Sequence, residues 1–228
     1  MSKNITNNYP DISVVLISMN EQEAVNIVIK DIIKYAPGSE IILVDSSSDN
    51  TAEIAKKFLN IKLIRQFPPQ GYGPAMTLAL RSATKKCIIT MDCDNTYPAQ
   101  LIPLFAREIE NGFDVVDGSR LGSKPLNMPF INFIANLFFA RIASILFLKN
   151  LKDLHSGMRA YSNFFLGTLT WEEKGAALPV ELLLRSIKNK CKLKVIYIDY
   201  KIRIGMSKMV PLTSAYWTLK RILKVRFK

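Results

Sequence analysis

The sequence predicts an α/β protein, a mainly parallel, doubly wound sheet with helices on both faces. Three observations carry this. Apolar runs of strand length alternate with amphipathic helical stretches as far as residue 119. The runs are continuous, as in strands buried on both faces. Two of them stop at acids, Asp45 and then Asp92 and Asp94, and in open α/β sheets ligands bind at the carboxyl ends of strands.

The 228 residues are 49% hydrophobic and carry a net charge of +12. The apolar content excludes a disordered chain, and the length suits one domain spanning 1–228. The charge asks for a polyanionic partner: nucleotide phosphates, an anionic membrane surface or nucleic acid. No RNP-like, zinc or helix-turn-helix signature accompanies it, which argues against nucleic acid. Three cysteines without metal-type spacing suit free thiols in a reducing compartment. The polar first residues lack the apolar core of a signal peptide.

Residues 12–17 (ISVVLI) form the first strand, and Asn20-Glu21 opens a helix that Pro37-Gly38 stops. Residues 40–44 (EIILV) form the second strand, ending at Asp45. Asp49 heads a helix over 51–59. Residues 61–64 are the third strand. The loop PPQGYGPA then leads into a helix to Ala83. Gly71 and Gly73 before that helix let backbone N–H groups approach a ligand closely, although the spacing matches neither a P-loop nor a dinucleotide fingerprint. Residues 87–91 are the fourth strand. A helix from 98 to 110 starts with proline in its first turn, and 115–119 is the fifth strand.

Beyond this point the pattern changes. Residues 128–148 (MPFINFIANLFFARIASILFL) approach the length of a membrane span, but Asn132, Asn136 and Arg141 interrupt them. An interfacial helix is the preferred reading, with a buried core helix as its alternative. Residues 153–161 (DLHSGMRAY) mix an acid, the only histidine, a hydroxyl, a glycine and an arginine, a mixture that suits site chemistry. A helix over 181–188 and a strand over 193–198 follow. The basic loop YKIRIGMSK then supplies Arg203 and Lys208 as diphosphate partners. Residues 211–228 intersperse Trp217, Leu219, Ile222, Leu223 and Phe227 with Lys and Arg, a second membrane-interface pattern.

The Asp92-x-Asp94 pair supplies the chemistry. Two acids so close repel unless a cation sits between them, and hard oxygen ligands suit Mg²⁺ or Mn²⁺ bridging to substrate phosphates. An acidic turn without metal is the alternative. Asp45 suits a base or ribose contact, with an Asx-turn as its alternative.

With these motifs in order, the chain resembles the family 2 glycosyltransferases of GT-A fold, and within them the dolichol-phosphate mannose synthase-like, polyprenyl-phosphate branch. The likeness runs from about residue 12 to residue 208: VVLISMNEQEAV, IILVDSSSDNTAEIA, GYGPAMTLAL, MDCDNTYP, DGSR, DLHSGMRAY and RIGMSK. It implies an inverting, metal-dependent transfer from a nucleotide-diphosphate sugar to a membrane-associated acceptor. A polyprenyl (dolichyl or undecaprenyl) phosphate is the first choice of acceptor, a glycan or glycolipid hydroxyl the second. The implied metal ligands are Asp92 and Asp94. Asn20, Glu21, Asp45, Gly71, Gly73, Arg203 and Lys208 are implied for the donor, and Arg120, Ser156 and Arg159 for the acceptor phosphate. A hydroxyl acceptor would also need a base, Asp153 or Glu181, to act beside Asp94. Ser46 stands where the family often has a second acid, Thr96 where some synthases have a glutamine ligand, and Met158 where it has phenylalanine. Lipid-dependent members often carry membrane helices after this region; here membrane contact is expected from 128–148 and 211–228 instead. The implied placement is cytoplasmic, peripheral at the cytosolic membrane face. A sugar nucleotidyltransferase is a rival, but SMNEQEA stands where its Gly-rich loop belongs. A non-catalytic membrane or nucleic-acid binder is the other rival.

Overall fold

The computed structural model describes residues 8–122, 125, 127–175, 177–206 and 211–228. Its seven strands are β1 (Ile12–Ser18), β2 (Glu40–Asp45), β3 (Ile61–Arg65), β4 (Cys87–Asp92), β5 (Val115–Ser119), β6 (Arg159–Ser162) and β7 (Leu193–Tyr197). They form one sheet in the order β3-β2-β1-β4-β6-β5-β7. All pairings are parallel except those of β6, which runs antiparallel between β4 and β5.

The continuous apolar runs explain the layers. Successive strand residues point to opposite faces, so Val14, Leu16, Ile41, Leu43, Ile89 and Met91 face one core. That core is closed by α1 (Val25–Tyr35) and α4 (Ile102–Glu110). Val15, Ile42, Val44 and Ile88 face the other core, closed by α3 (Tyr72–Ser82) and α7 (Leu178–Lys188). Each fully buried aliphatic side chain contributes about 1.5–3 kcal/mol, and both cores draw on the same strands. The central strands are therefore fixed from both sides, and the loops at their carboxyl ends stand on a rigid base.

Several boundaries differ from the expectation. Helix α1 starts at Val25 because Asn20 takes a left-handed φ of 55° and turns the chain before any helix forms. Helix α2 (Thr51–Ala55) is shorter than predicted, and its first N–H bonds to Asp49 Oδ1 at 2.9 Å. A 3₁₀ turn, Ala99–Leu101, precedes α4. Strand β6 and the short α6 (Asn163–Gly167) were not predicted. The strand reads RAYS, too short to show a period and headed by a charge that the fold buries.

Two helices make a third layer. α5 (Phe130–Phe147) and α8 (Pro211–Phe227) pack with α7 around Ala140, Ala143, Leu183, Ile222 and Val225. Among the described residues α5 is the one helix long and apolar enough to cross a membrane. Its exposed face is largely apolar, although Arg141 also lies there. Asn132 and Asn136 lie partly covered on the same side as buried Ala140, while Phe130, Ile131, Phe138 and Ile145 are exposed. Leu212, Tyr216 and Phe227 of α8 are exposed as well. α5 is therefore not a buried core helix.

Candidate functional site

The parallel register sets Asp45 beside Ser18 and Asp92 beside Ile17, so both acids lie at the carboxyl ends of β2 and β4 with β1 between them. Asp94 follows in the loop. Its Oδ1 accepts from the Thr96 N–H at 3.0 Å and the Thr96 hydroxyl at 2.6 Å. Thr96 thus fixes the rotamer of Asp94. Its Oδ2 pairs with Arg203 Nη1. The other arm of the same guanidinium, Nη2, pairs with Glu21 Oε1 at 2.5 Å. Arg203 is delivered by backbone bonds: Lys201 N–H donates to Thr96 O and Ile204 N–H to Asp94 O, each at 3.0 Å. Residues 21, 94 and 203, far apart in sequence, therefore meet at one point.

Burial pushes the Asp92 carboxyl up to about 7. The Asp94 charge adds to this, against the pull of Arg120 and Arg203. Gly157 packs so tightly on Asp92 that a Cβ there would sit 2.6 Å from Oδ2. Its N–H donates to the Tyr97 hydroxyl at 2.7 Å. Tyr97 meets Tyr200 edge to face, and Arg120 lies over the Tyr200 ring. Burial, with Asp92 near, holds the Tyr72 hydroxyl well above its ordinary range. Tyr72, Tyr97 and Tyr200 line the acids together with Gly157, and the three tyrosines were not singled out in the sequence. Their signal was adjacency to the motifs, as with Tyr97 closing MDCDNTYP.

Other expected site residues are bound within the fold. Arg120 pairs with Asp153 through Nε and Nη2 at 2.8 and 2.9 Å, and its N–H adds a third bond at 3.1 Å. Burial works to raise the Asp153 carboxyl, but the Arg120 charge and these bonds outweigh it and hold it down at about 2. Such a carboxylate is a poor base near neutrality. Glu181 is fully buried, with Oε1 accepting from Arg185 Nε at 2.7 Å and from the Glu172 N–H at 3.0 Å. Its Oε2 pairs with Arg221 at 2.6 Å. Both carboxylates named as candidate bases therefore serve ion pairs in this structure.

Arg159 is buried and spends every arm internally: Nε on Asp117 at 2.5 Å, Nη1 on Pro179 O, and Nη2 on Leu154 O at 3.0 Å. Ser156 donates to Gly118 O at 2.5 Å. In this arrangement the donors of both are engaged within the fold. Arg120 keeps Nη1 free of bonds among the described residues. A Cβ on Gly73 would strike Glu173 O at 1.8 Å, so its close approach is to the chain's own 173–175 backbone. Gly71, with φ 97°, faces open space.

Asp45 is fully buried, held by Ser18 at 2.6 Å, Ser47 at 2.5 Å and Arg65. Asn20 Oδ1 accepts from the Ser48 N–H at 2.8 Å, joining the first two strand ends. Lys208 lies outside the described residues. Cys93 is a buried core residue, in keeping with a small filler.

His155 joins this site to the third layer. Its N–H donates to Asp153 Oδ1 at 3.0 Å, its Nε2 is 2.8 Å from Thr218 Oγ1 on α8, and its ring meets Phe139 of α5 edge to face. Burial lowers its pKa to about 4, so it is neutral at pH 7.

Among the described residues no three His, Cys, Asp or Glu side chains form a closed metal cage. Asp92 and Asp94 still fit a hard cation. They are hard oxygen donors crowded enough to hold a proton near neutrality, and Mg²⁺ or Mn²⁺ commonly takes one or two carboxylates and completes its shell with substrate phosphates and water. A cavity of about 660 Å³ opens at the other end of the strands, beside Asp11, Lys85, Lys86 and Phe164. It holds none of these groups.

Residues 13–169 match the family model for glycosyl transferase family 2. A dolichyl-phosphate hexose transferase of Haloferax volcanii is 36% identical over 218 residues, 95% of this chain and 94% of the relative. A dolichol-phosphate mannosyltransferase of Pyrococcus furiosus is 27% identical over 78% of this chain, which spans 54% of that relative. Among solved structures, glucosyl-3-phosphoglycerate synthase from Mycobacterium tuberculosis, in complex with Mn²⁺, UDP and glucosyl-3-phosphoglycerate, superposes with a TM-score of 0.76. It is 18% identical, and the match covers 95% of this chain and 80% of that one.

Proposed function

The chain belongs to glycosyl transferase family 2 and has the GT-A fold, and from that premise we propose that it moves a hexosyl group from a nucleotide-diphosphate sugar to a polyprenyl phosphate at a membrane surface. One observation carries this reading. The loop at 153–159 touches both halves of the problem. Gly157 lies against Asp92 in the acid cluster, and His155 lies between α5 and α8, whose apolar faces are exposed.

Asp92 and Asp94 would hold Mg²⁺ or Mn²⁺, which neutralises the diphosphate of the donor and of the leaving nucleoside diphosphate. Arg203 and Lys208 add charge to the same diphosphate. Asn20, Asp45 and Gly71 border the nucleoside side, and Glu21 holds Arg203 beside the diphosphate. Arg120, fixed by Asp153 and Tyr200, is directed at the acceptor phosphate. An acceptor phosphate oxygen attacks the anomeric carbon, the bond to the donor diphosphate breaks, and the configuration inverts. The nucleophile is already ionised, so no side chain needs to take a proton. This agrees with the engagement of Asp153 and Glu181 in ion pairs. A hydroxyl acceptor, which needs a base, is the less favoured reading for the same reason.

The exposed apolar residues of α5 and α8, with exposed Lys220 and Arg226 on α8, suit an anionic membrane surface. Peripheral attachment on the cytosolic side is part of the proposal. The similarity to a dolichyl-phosphate hexose transferase and a dolichol-phosphate mannosyltransferase supports the lipid phosphate.

The donor half is tested by thermal unfolding with GDP, UDP, dTDP and CMP, each with and without Mn²⁺. Ligand at a hundred times its dissociation constant stabilises by about 2.7 kcal/mol, about 5–10 °C for a chain of this size. One nucleotide is expected to give such a shift only with metal. No shift with any of them would contradict the donor site.

A further inference from the structure

Arg203 poses a problem of charge. Its guanidinium spans Glu21 at 2.5 Å and Asp94, two carboxylates from different strand ends, both nearly buried. The backbone bonds at Lys201 and Ile204 bring the loop to the acids independently of the side chain. Gly205, with φ 82°, turns the loop beside Glu21. Both oxygens of Asp94 are engaged, Oδ1 by Thr96 and Oδ2 by Arg203, so a divalent cation placed at Oδ2 would stand directly against the guanidinium charge. A metal ion and Arg203 therefore compete for the same carboxylate. A diphosphate arriving with the metal brings the negative charge that a displaced guanidinium needs.

We infer that Arg203 is the resting counterion of Asp94 and exchanges from Asp94 to the donor diphosphate when metal binds, and that Glu21 is the positioning residue that keeps Arg203 at the site through this exchange. The inference rests on the donor site proposed above. No bond is made or broken in it; one cation replaces another at Asp94. Metal without nucleotide must strip Arg203 from Asp94 and leave its charge beside the ion, so it binds weakly. Metal with nucleotide gives Arg203 a new partner, so each favours the other.

The test uses the full chain and Mn²⁺ alone, with free Mn²⁺ read by electron paramagnetic resonance. Arg203→Gln is expected to bind Mn²⁺ about tenfold more tightly than wild type, a change worth about 1.4 kcal/mol. Arg203→Lys keeps the charge and should remain within about threefold of wild type. In parallel, GDP and UDP binding is measured with saturating Mn²⁺ by calorimetry. Glu21→Gln should weaken that binding about tenfold in the wild-type background and have little effect once Arg203→Gln is present, a cycle that isolates action through Arg203. Equal Mn²⁺ affinity in wild type and Arg203→Gln, with metal-dependent nucleotide binding intact, would overturn the exchange and leave the donor site standing. A Glu21→Gln loss that persists in the Arg203→Gln background would overturn the positioning role. Wild type that takes up neither Mn²⁺ nor nucleotide would overturn both readings.

Discussion

Asp94→Asn is expected to lower sugar-transfer turnover by about 10²–10³-fold, the range for losing a principal source of charge stabilisation on a leaving group. The substitution is nearly isosteric and keeps an oxygen for the Thr96 bonds. It removes the charge that a divalent cation needs and the charge that Arg203 now holds. Stability should not suffer in proportion. Asp92 and Asp94 repel, as the raised Asp92 carboxyl records, so removing one charge relieves the cluster while Arg203 keeps Glu21. The expected pattern is a folded protein with an unchanged or slightly higher melting midpoint and little activity at any Mn²⁺ concentration. Turnover like that of wild type, retained in excess EDTA, would remove the metal from the account.

The second large effect is on folding. Arg159→Met should destabilise by about 3–5 kcal/mol, the cost of breaking a buried pair and leaving its partner charged. For a chain of this size that is a fall of roughly 10 °C in midpoint. Asp117 would be the stranded group. It is buried, and burial already pushes its carboxyl up despite Arg159. The carbonyls of Pro179 and Leu154 would also lose a donor. Desolvation of the pair is expensive, so removing both partners is less harmful than removing one. Arg159→Met with Asp117→Leu should therefore recover part of the loss. A single variant within about 1 kcal/mol of wild type would show that Arg159 is free to turn outward, and would return it to the list of acceptor groups.

These two arginines show where the sequence was legible. The parallel half of the sheet could be read because strands buried on both faces are mostly apolar, and residues 12–17, 40–44 and 87–91 each carry a single polar residue. Asp92, Asp94 and Arg203 could be singled out because charge at a strand end or in a glycine loop has few structural uses. Arg159 looked the same, yet its guanidinium is spent on Asp117 and on the carbonyls of Pro179 and Leu154. Sequence does not reveal that Asp117, on another strand, lies beside it. Arg120 and Asp153 were assigned separate tasks for the same reason, although they form one bidentate pair. Glu181 could not be seen to face Arg221, which comes from the last helix. Gly73 was read as space for a ligand and is instead space for the backbone at 173–175. The apolar character of helix α5 could be read from its composition, but only packing shows that Asn132 and Asn136 lie on the side of buried Ala140 while Phe130 and Phe138 face outward.

The most direct test of the central claim is the product of the full chain supplied with labelled nucleotide sugar, Mn²⁺ and vesicles containing either dolichyl phosphate or unphosphorylated dolichol. The account predicts organic-extractable label, released by mild acid as free sugar, with dolichyl phosphate and none with dolichol. Equal labelling of dolichol, or transfer to a free glycan with dolichyl phosphate left unlabelled, would contradict it.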